Sequence, residues 1–390
     1  MPSGYREDIV TLGARVAASA IAALLMLMAP PGLSSARAET RFHPAYPDHP
    51  MLGPQAAKGV VIWNHGTTTY YAASDPSQSA VPIFVSLLRD AGFDVYRLDR
   101  PPSGESIDAS TAALLAAIRQ VKSEGYRKIV LAGQSAGAWI SIIAAGKTAD
   151  IYAVIANAPA YYGVDRPRYT MNAYVLFDNL KAVQTRRVML SFFRNDPFDP
   201  GGRGPKSAEI LRGRGIDTLI IDQPEGFSGH DSGNGGLFYR RFGPCVLAMA
   251  GNGPVPTRET CESDWGRKPS AEMALPPGTT PLATGSGPIA PFLGRWWGTY
   301  QNGREVSLVI TRVDGERVDA LYLVGSTPAG DPKSDASRRT GRITGDTLEL
   351  ADTGKPTIRF HVRADQGLDV EWLSANGTSR LTTVLQRVTP

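Results

Sequence analysis

Short β-branched runs alternate with longer stretches of helical periodicity between residues 58 and 240, and this alternation constrains the fold more than any other feature. The pattern is typical of a mostly parallel sheet covered by helices, because parallel strands need long crossover connections. The predicted strands are 60–64, 93–98, 128–132, 152–156, 187–193 and 218–222. The predicted crossover helices are 78–91, 110–124 and 136–147. The sequence therefore predicts an α/β fold for this part of the chain.

The C-terminal part of the chain has a different pattern. Residues 267–290 are rich in Pro, Gly, Ser and Thr and show no periodicity, which is typical of a linker. Residues 291–390 contain six or seven short alternating runs broken by turn signals, which indicates a small antiparallel barrel or sandwich. We expect a leader over 1–38, an α/β domain over 39–266, the linker, and a small antiparallel β domain over 291–390.

The first segment of the chain has the features of an export signal. Arg6 and Arg15 precede an apolar run of about 14 residues, and Ala36-Arg37-Ala38 supplies a small-residue cleavage site. A membrane anchor needs about 20 apolar residues, so a cleaved signal peptide is favoured over an uncleaved signal anchor. We expect a periplasmic or secreted protein without stable membrane insertion after cleavage.

The two cysteines of the chain, Cys245 and Cys261, stand in a stretch rich in Gly and Pro. Oxidising compartments form disulfides, so we expect these two to pair. Neither has a His or Cys beside it at zinc-ligand spacing, and neither a metal nor a cofactor is expected. The net charge of +4 is spread along the chain without a long run of like charges, which argues against a nucleic-acid partner.

Residues 133–137 read Gly-Gln-Ser-Ala-Gly and match the pattern G-x-S-x-G. They directly follow a predicted strand and precede a predicted helix, which is the setting that a nucleophile elbow requires. A plain glycine-rich turn is the alternative. The small flanking residues allow a sharp turn, so that the Ser135 hydroxyl projects at the carboxyl end of the strand. We interpret Ser135 as a nucleophile.

A serine hydroxyl becomes a strong nucleophile only beside a base, which an acid must orient. Among the five histidines, His230 lies in a glycine-rich loop after the last predicted strand and is the candidate base. His65 ends the first predicted strand, and we interpret it as a scaffold residue. The loop after the strand 187–193 offers two candidate acids. Asp196 is favoured, and Asp199 is the alternative.

Acyl transfer also needs two N–H donors for the charge that develops on the substrate oxygen. Ala136 follows the nucleophile and can supply one donor. The second is expected from Thr67 or Gly66, after the first predicted strand, where glycine allows a close approach to the substrate. We expect four tyrosines either to line an acyl pocket or to form its rim. They are Tyr70, Tyr71, Tyr161 and Tyr162.

Together, the motifs HGT at 65–67, GQSAG at 133–137, NDP at 195–197 and SGH at 228–230 resemble those of the α/β-hydrolase superfamily of serine hydrolases. The order of nucleophile, acid and base is the order found there. The resemblance spans about residues 58–240, and this part of the chain is similar to a small esterase or dienelactone hydrolase. The loop after the strand 187–193, which we call the acid loop, contains two Asp-Pro pairs. It departs in this from the usual loop of the family, and the choice of aspartate stays open.

This resemblance implies an exported serine hydrolase that cleaves a carboxylic ester, or a related acyl bond, of a small molecule through an acyl-enzyme. A peptidase, amidase or thioesterase of the same fold is one alternative. A non-catalytic secreted binding protein is another. The C-terminal part resembles small lipocalin-like barrels. Trp296 and Trp297 are expected in its core, and contact with carbohydrate or protein is the alternative for them.

Overall fold

The computed structural model describes residues 40–67, 80–100, 106–163, 167–327 and 332–388. The predicted leader over 1–38 lies outside these residues. A seven-stranded sheet forms the first part, in the order β1-β3-β2-β4-β5-β6-β7. Only β1 runs antiparallel to its neighbour. The strands are β1 (Arg41–Pro44), β2 (Val60–Asn64), β3 (Asp94–Asp99), β4 (Ile129–Gln134), β5 (Ile151–Asn157), β6 (Arg187–Phe192) and β7 (Asp217–Asp222).

Helices cover both faces of this sheet. They are α1 (Ile83–Asp90), α2 (Ile107–Ser123), α3 (Ala136–Lys147), α4 (Arg168–Ala182), α5 (Arg203–Gly213), α6 (Gly236–Ala250) and α7 (Arg258–Cys261). The three predicted crossover helices correspond to α1, α2 and α3. The sequence did not predict α4 to α7, nor the short edge strand β1.

Alternate residues of the central strands enter two separate cores, because successive side chains of a strand point to opposite faces. Ile62 and Leu131 belong to the core under α2, α3 and α4. Val61 and Val130 belong to the core under α1 and α6. Burial on both faces explains why the strands are continuous apolar runs and could be predicted from them.

The predicted disulfide is present. Cys245 in α6 is bonded to Cys261 in α7, and their Cα atoms are 4.9 Å apart. The bond ties the end of α7 to the middle of α6. Within the described ranges, no helix is long and apolar enough to cross a membrane.

The predicted barrel is confirmed, and the described residues close it with eight strands. They are β8 (Arg295–Thr299), β9 (Glu305–Asp314), β10 (Arg317–Val324), β11 (Asp335–Thr344), β12 (Thr347–Leu350), β13 (Thr357–Val362), β14 (Leu368–Leu373) and β15 (Arg380–Arg387). The sequence predicted six or seven strands, because β11 and β12 are joined by a tight turn at Gly345 and appear as one run.

Side chains fill the barrel, so its interior is a packed core. Phe292 and Trp296 lie in this core with residues of nearly every strand. Trp297 faces the other way, toward a smaller cluster with the buried Met273 and with Leu237 of α6. Met273 belongs to the segment 267–290, so this part of the segment packs against both the barrel and α6.

We predict that replacing both cysteines, as Cys245→Ser with Cys261→Ser, lowers the free energy of unfolding by about 3 kcal/mol, because the loop that the disulfide closes gains freedom in the unfolded chain. Urea unfolding of the two proteins measures the difference. Wild-type protein with its disulfide reduced should show the same loss. Equal midpoints for the oxidised, reduced and substituted proteins would contradict the prediction.

Candidate active site

The turn between β4 and α3 places Ser135 in a strained conformation. Its backbone has φ 53° and ψ −123°, and residues other than glycine rarely adopt a positive φ. A Cβ at Gly137 would lie 2.1 Å from the Asn64 carbonyl oxygen, and a Cβ at Gly133 would lie 2.6 Å from the Ala138 nitrogen. Both glycines are therefore needed for the close approach of α3 to the strands. The strand, sharp turn and helix predicted for residues 128–147 are present.

Backbone strain is concentrated at the carboxyl edge of the sheet. Among the described residues, five that are not glycine have positive φ. Four of them, Ser135, Ala158, Asn195 and Gln223, come just after β4, β5, β6 and β7. Such strain costs about 1–3 kcal/mol per residue and is commonly found at functional sites. The loops that follow the parallel strands also converge at this edge, so we expect the functional site there.

His230 and Asp196 form a close pair at this edge. The His230 Nδ1 atom lies 3.0 Å from each oxygen of the Asp196 carboxylate. The Asp196 side chain is fully buried, and one of its oxygens also accepts a hydrogen bond from the Phe198 backbone N–H at 2.8 Å. The Phe198 ring packs on the imidazole with its centroid 4.5 Å away. The carboxylate holds the proton of the imidazole on Nδ1, which leaves Nε2 as the acceptor.

The Nε2 atom of His230 is buried and has no hydrogen-bond partner among the described residues. An unpaired buried acceptor normally costs free energy. A ring held in one tautomer by Asp196, with its second nitrogen unengaged, is arranged to take up a proton from another group.

Gln134 links the loop of His230 to the nucleophile turn. Its Nε2 atom donates to the His230 carbonyl oxygen at 3.5 Å and to Asp231 Oδ1 at 3.3 Å. On its other side, a Cβ at Gly66 would lie 2.5 Å from Gln134 Oε1 and 3.2 Å from the Ser135 Cβ. The side chain before the serine therefore lies between the Gly66 loop and the His230 loop. Sequence reasoning missed Gln134, because the pattern G-x-S-x-G leaves its position open.

Backbone N–H groups are available beside Ser135. Ala136 is the first residue of α3, and the first hydrogen bond of that helix runs from the Trp139 N–H to the Ser135 carbonyl oxygen at 3.0 Å. The Ala136 N–H therefore has no partner within the helix, and it lies at the positive end of the helix dipole. Gly66 approaches Ser135 from β2, and Thr67 follows it. The structure thus brings Ala136 and the Gly66 loop to the serine.

His65 has the contacts of a scaffold residue. Its Nδ1 donates to the Gly66 carbonyl oxygen at 2.6 Å, and its Nε2 accepts from the Arg100 backbone N–H at 3.0 Å. Burial, with the charge of Arg100 as a second cause, lowers the pKa of His65 to about 3. A neutral ring with both nitrogens engaged fixes the shape of the loop and has no site left for proton transfer.

Asp199 lies in the same loop as Asp196 but pairs with a different residue. Its Oδ1 accepts from Arg203 Nε at 2.9 Å, at the start of α5. The Arg203 side chain is fully buried and also donates to the Pro159 carbonyl oxygen at 2.6 Å. The same guanidinium is 4.0 Å from Asp196. Asp196 therefore contacts the histidine, whereas Asp199 and Arg203 hold the loop.

No protein-family profile and no curated protein sequence matches this chain. Solved structures do resemble part of it. The esterase Pf2001 of Pyrococcus furiosus is 17% identical over 45% of this chain and 74% of that chain, with a TM-score of 0.34. Est1E of Butyrivibrio proteoclasticus is 15% identical over 49% and 85%, with a TM-score of 0.34. A puromycin-hydrolysing peptidase of Mycobacterium tuberculosis is 13% identical over 52% and 37%, with a TM-score of 0.39.

The strand order of the sheet and the turn at Ser135 decide the fold. It is an α/β-hydrolase fold. The parallel strands are arranged β3-β2-β4-β5-β6-β7, with the serine turn after the strand next to β2 and with the aspartate and histidine loops after β6 and β7. In the α/β-hydrolase fold, these positions meet at one edge of the sheet.

Of the four tyrosines predicted for a substrate pocket, the structure describes only two. Tyr70 and Tyr71 lie outside the described residues. The backbone N–H groups of Tyr161 and Tyr162 both donate to Asn172 Oδ1, at 3.2 and 2.9 Å. The Tyr162 ring packs edge-on against Trp139, with a centroid distance of 5.6 Å. These contacts fasten the segment after β5 to α3 and α4, and the pocket role of the two tyrosines stays a prediction.

We predict that His65 stays neutral from pH 8 to pH 4, because its pKa is held near 3. The ring nitrogen shifts in an NMR titration, assigned with His65→Asn, should not change over this range. The unfolded chain binds this proton near pH 6.5, so the group lowers stability as the pH falls from about 6.5 to 3. A titration midpoint between pH 6 and 7 in the folded protein would contradict the account.

Proposed function

We propose that this chain is an exported serine hydrolase that cleaves a carboxylic ester or a related acyl bond of a small molecule. The observation that carries the proposal is the juxtaposition, at one sheet edge, of Ser135 in its strained turn and the His230–Asp196 pair. Gln134 connects the two. Nucleophile, base, acid and backbone donors are then all supplied by loops that follow parallel strands.

In the first half of the proposed reaction, His230 Nε2 accepts the Ser135 hydroxyl proton while the serine oxygen attacks the carbonyl carbon. Asp196 stabilises the imidazolium that forms, and it keeps the ring in one orientation. The carbonyl oxygen becomes an oxyanion, for which the Ala136 N–H and the N–H of Gly66 or Thr67 are the proposed donors. Collapse of this intermediate transfers the imidazolium proton to the leaving alcohol and leaves an acyl group on Ser135.

The second half repeats these steps with water. His230 removes a proton from the water as its oxygen attacks the acyl carbon, and the same donors stabilise the second oxyanion. Release of the carboxylic acid returns the serine hydroxyl and the neutral imidazole. Because the Asp196 carboxylate is buried and bound to both the imidazole and the Phe198 N–H, it can act in both halves without moving.

The location of the protein is part of the proposal. The disulfide between Cys245 and Cys261 supports an oxidising compartment, since such bonds are rare in reducing ones. The predicted leader adds the route of export. We propose a periplasmic or secreted enzyme.

Removal of the nucleophile or the base should abolish turnover. We expect Ser135→Ala and His230→Ala each to lower kcat by at least about 10³-fold on p-nitrophenyl esters of graded acyl length, because these groups act as a unit. Ser123→Ala, on the exposed side of α2, is the matched control and should keep wild-type activity. Hydrolysis that survives in Ser135→Ala would reject the nucleophile.

The same panel distinguishes the alternatives. Cleavage of anilides or thioesters in preference to esters would make the protein an amidase, peptidase or thioesterase. Folded wild-type protein that cleaves none of these substrates, and that does not react with a fluorophosphonate, would favour a binding protein.

The two aspartates should behave differently. Asp196→Asn should lower kcat by about 10³- to 10⁴-fold, because the imidazole loses its orienting charge. Asp199→Asn should keep most of the turnover but lower the free energy of unfolding by about 3 kcal/mol, because the buried Arg203 loses the nearer of its two charged partners. Steady-state kinetics and urea unfolding of both variants measure this. The opposite pattern would assign the acid role to Asp199.

A further inference from the structure

The loop that carries His230 is held at both of its ends. We call residues 225–235 the base loop. Within the loop, the Asn157 side chain at the end of β5 donates to the Gly233 carbonyl oxygen at 3.1 Å, and the buried Phe227 ring packs against Phe242 of α6 with a centroid distance of 5.4 Å. Its two ends, however, contact the barrel.

At the C-terminal end, the base loop leads into α6, and the first residue of that helix lies against barrel backbone. A Cβ at Gly236 would be 2.0 Å from the Tyr300 carbonyl oxygen and 2.7 Å from Thr299 Cγ2. Tyr300 lies in the turn between β8 and β9. Only a glycine allows this approach, so the position of the loop end depends on the position of that turn.

One helical turn later, a buried ion pair connects α6 to the same barrel turn. Arg240 Nε and Nη2 donate to the Gly303 carbonyl oxygen at 2.8 and 2.6 Å, and its Nη1 is 3.4 Å from Glu305 Oε2. The two side chains are only 3% and 1% exposed. Glu305 also accepts from Trp297 Nε1 at 2.9 Å and from the Ser270 N–H at 3.0 Å. The Arg240–Glu305 pair therefore joins α6 to the barrel, and a change that removes one of the two charges would leave the other buried without its charged partner, which is costly.

At the N-terminal end, the last barrel strand reaches the base loop. Gln386 Nε2 in β15 donates to the Gly226 carbonyl oxygen at 2.8 Å. Arg241 of α6 donates to the neighbouring Glu225 carbonyl oxygen and is paired with Glu262. The disulfide ties Cys261, the residue before Glu262, to α6. The barrel, α6 and α7 thus hold the start of the loop.

We propose that the barrel is a positioning element of the active site, in which the β8–β9 turn and Gln386 hold both ends of the base loop and thereby set the distance of His230 from Ser135. This inference rests on the proposed function. A barrel that served only to capture substrate would not need the buried Arg240–Glu305 pair or the glycine contact at residue 236. Displacement of a catalytic group by about 1 Å can cost about 10²-fold in rate.

The test is Gly236→Ala in the full-length protein, which inserts a methyl group between α6 and the barrel turn. Gly213→Ala is the matched control, because a Cβ there has open space and Gly213 has no positive φ. For Gly236→Ala we expect kcat per fluorophosphonate-titrated site to fall at least 10-fold, KM to stay within about 2-fold, and the acidic limb of the kcat/KM pH profile to shift, because that limb reports the general base. A purely structural defect would reduce the number of titrated sites and leave the other quantities unchanged.

A second variant covers the case in which Gly236→Ala does not fold. Gln386→Ala removes one exposed side chain and its contact with Gly226, whereas Gln120→Ala removes an exposed glutamine on α2. We expect a fall in kcat of at least 3-fold for Gln386→Ala, with an unchanged melting temperature, and no change for Gln120→Ala. Wild-type kcat and pH profile in Gln386→Ala would overturn the positioning role. Wild-type protein that is not labelled at Ser135 would overturn the proposed function, and the positioning role with it.

Discussion

The turn at residues 133–137 is the constraint on which the rest of the site depends. Gly137 lets the first turn of α3 approach to within contact of the Asn64 carbonyl at the end of β2, and the chain enters this helix through the positive φ of Ser135. The Ala136 N–H and the Gly66 loop then meet beside the serine. The loops after β6 and β7 reach the same point, because all of these parallel strands end at one edge of the sheet. The location of the site therefore follows from the packing of one helix.

Strain at this edge is balanced by the structure around it. The sheet is buried on both faces by two apolar cores, which hold the strand ends rigidly. Polar side chains fix the loops: Gln134 joins the serine turn to the base loop, Asn157 holds Gly233, and Arg203 fastens the acid loop through Asp199. The barrel extends this system, since the Arg240–Glu305 pair connects it to the helix that follows the base loop. A rigid edge of this kind suits chemistry that needs a base held close to a nucleophile.

Much of this could be predicted from the sequence, for identifiable reasons. Strands buried on both faces are continuous apolar runs, and the two glycines around Ser135 indicate a turn that few other residues allow. The helices α4 to α7 were missed. Pro244 lies inside α6 and begins the stretch rich in Gly and Pro for which no helix was predicted, although neighbouring residues such as Phe242 and Cys245 are fully buried there. The sequence favoured Asp196 and left Asp199 as the alternative, because the distinction depends on which carboxylate contacts His230 and which contacts Arg203. Gln134 was missed because the pattern G-x-S-x-G allows any residue there and because its hydrogen-bond partners, in the loop of His230, are distant in the sequence.

A crystal structure of the protein after reaction with a fluorophosphonate tests the proposed site most directly. We expect a covalent adduct on Ser135 Oγ. Its phosphoryl oxygen should lie about 2.7–3.1 Å from the Ala136 nitrogen and from the nitrogen of Gly66 or Thr67, and His230 Nε2 should lie within hydrogen-bond distance of the serine oxygen. An adduct on another residue, or a phosphoryl oxygen that points to solvent, would show that this sheet edge is not an assembled site for acyl transfer.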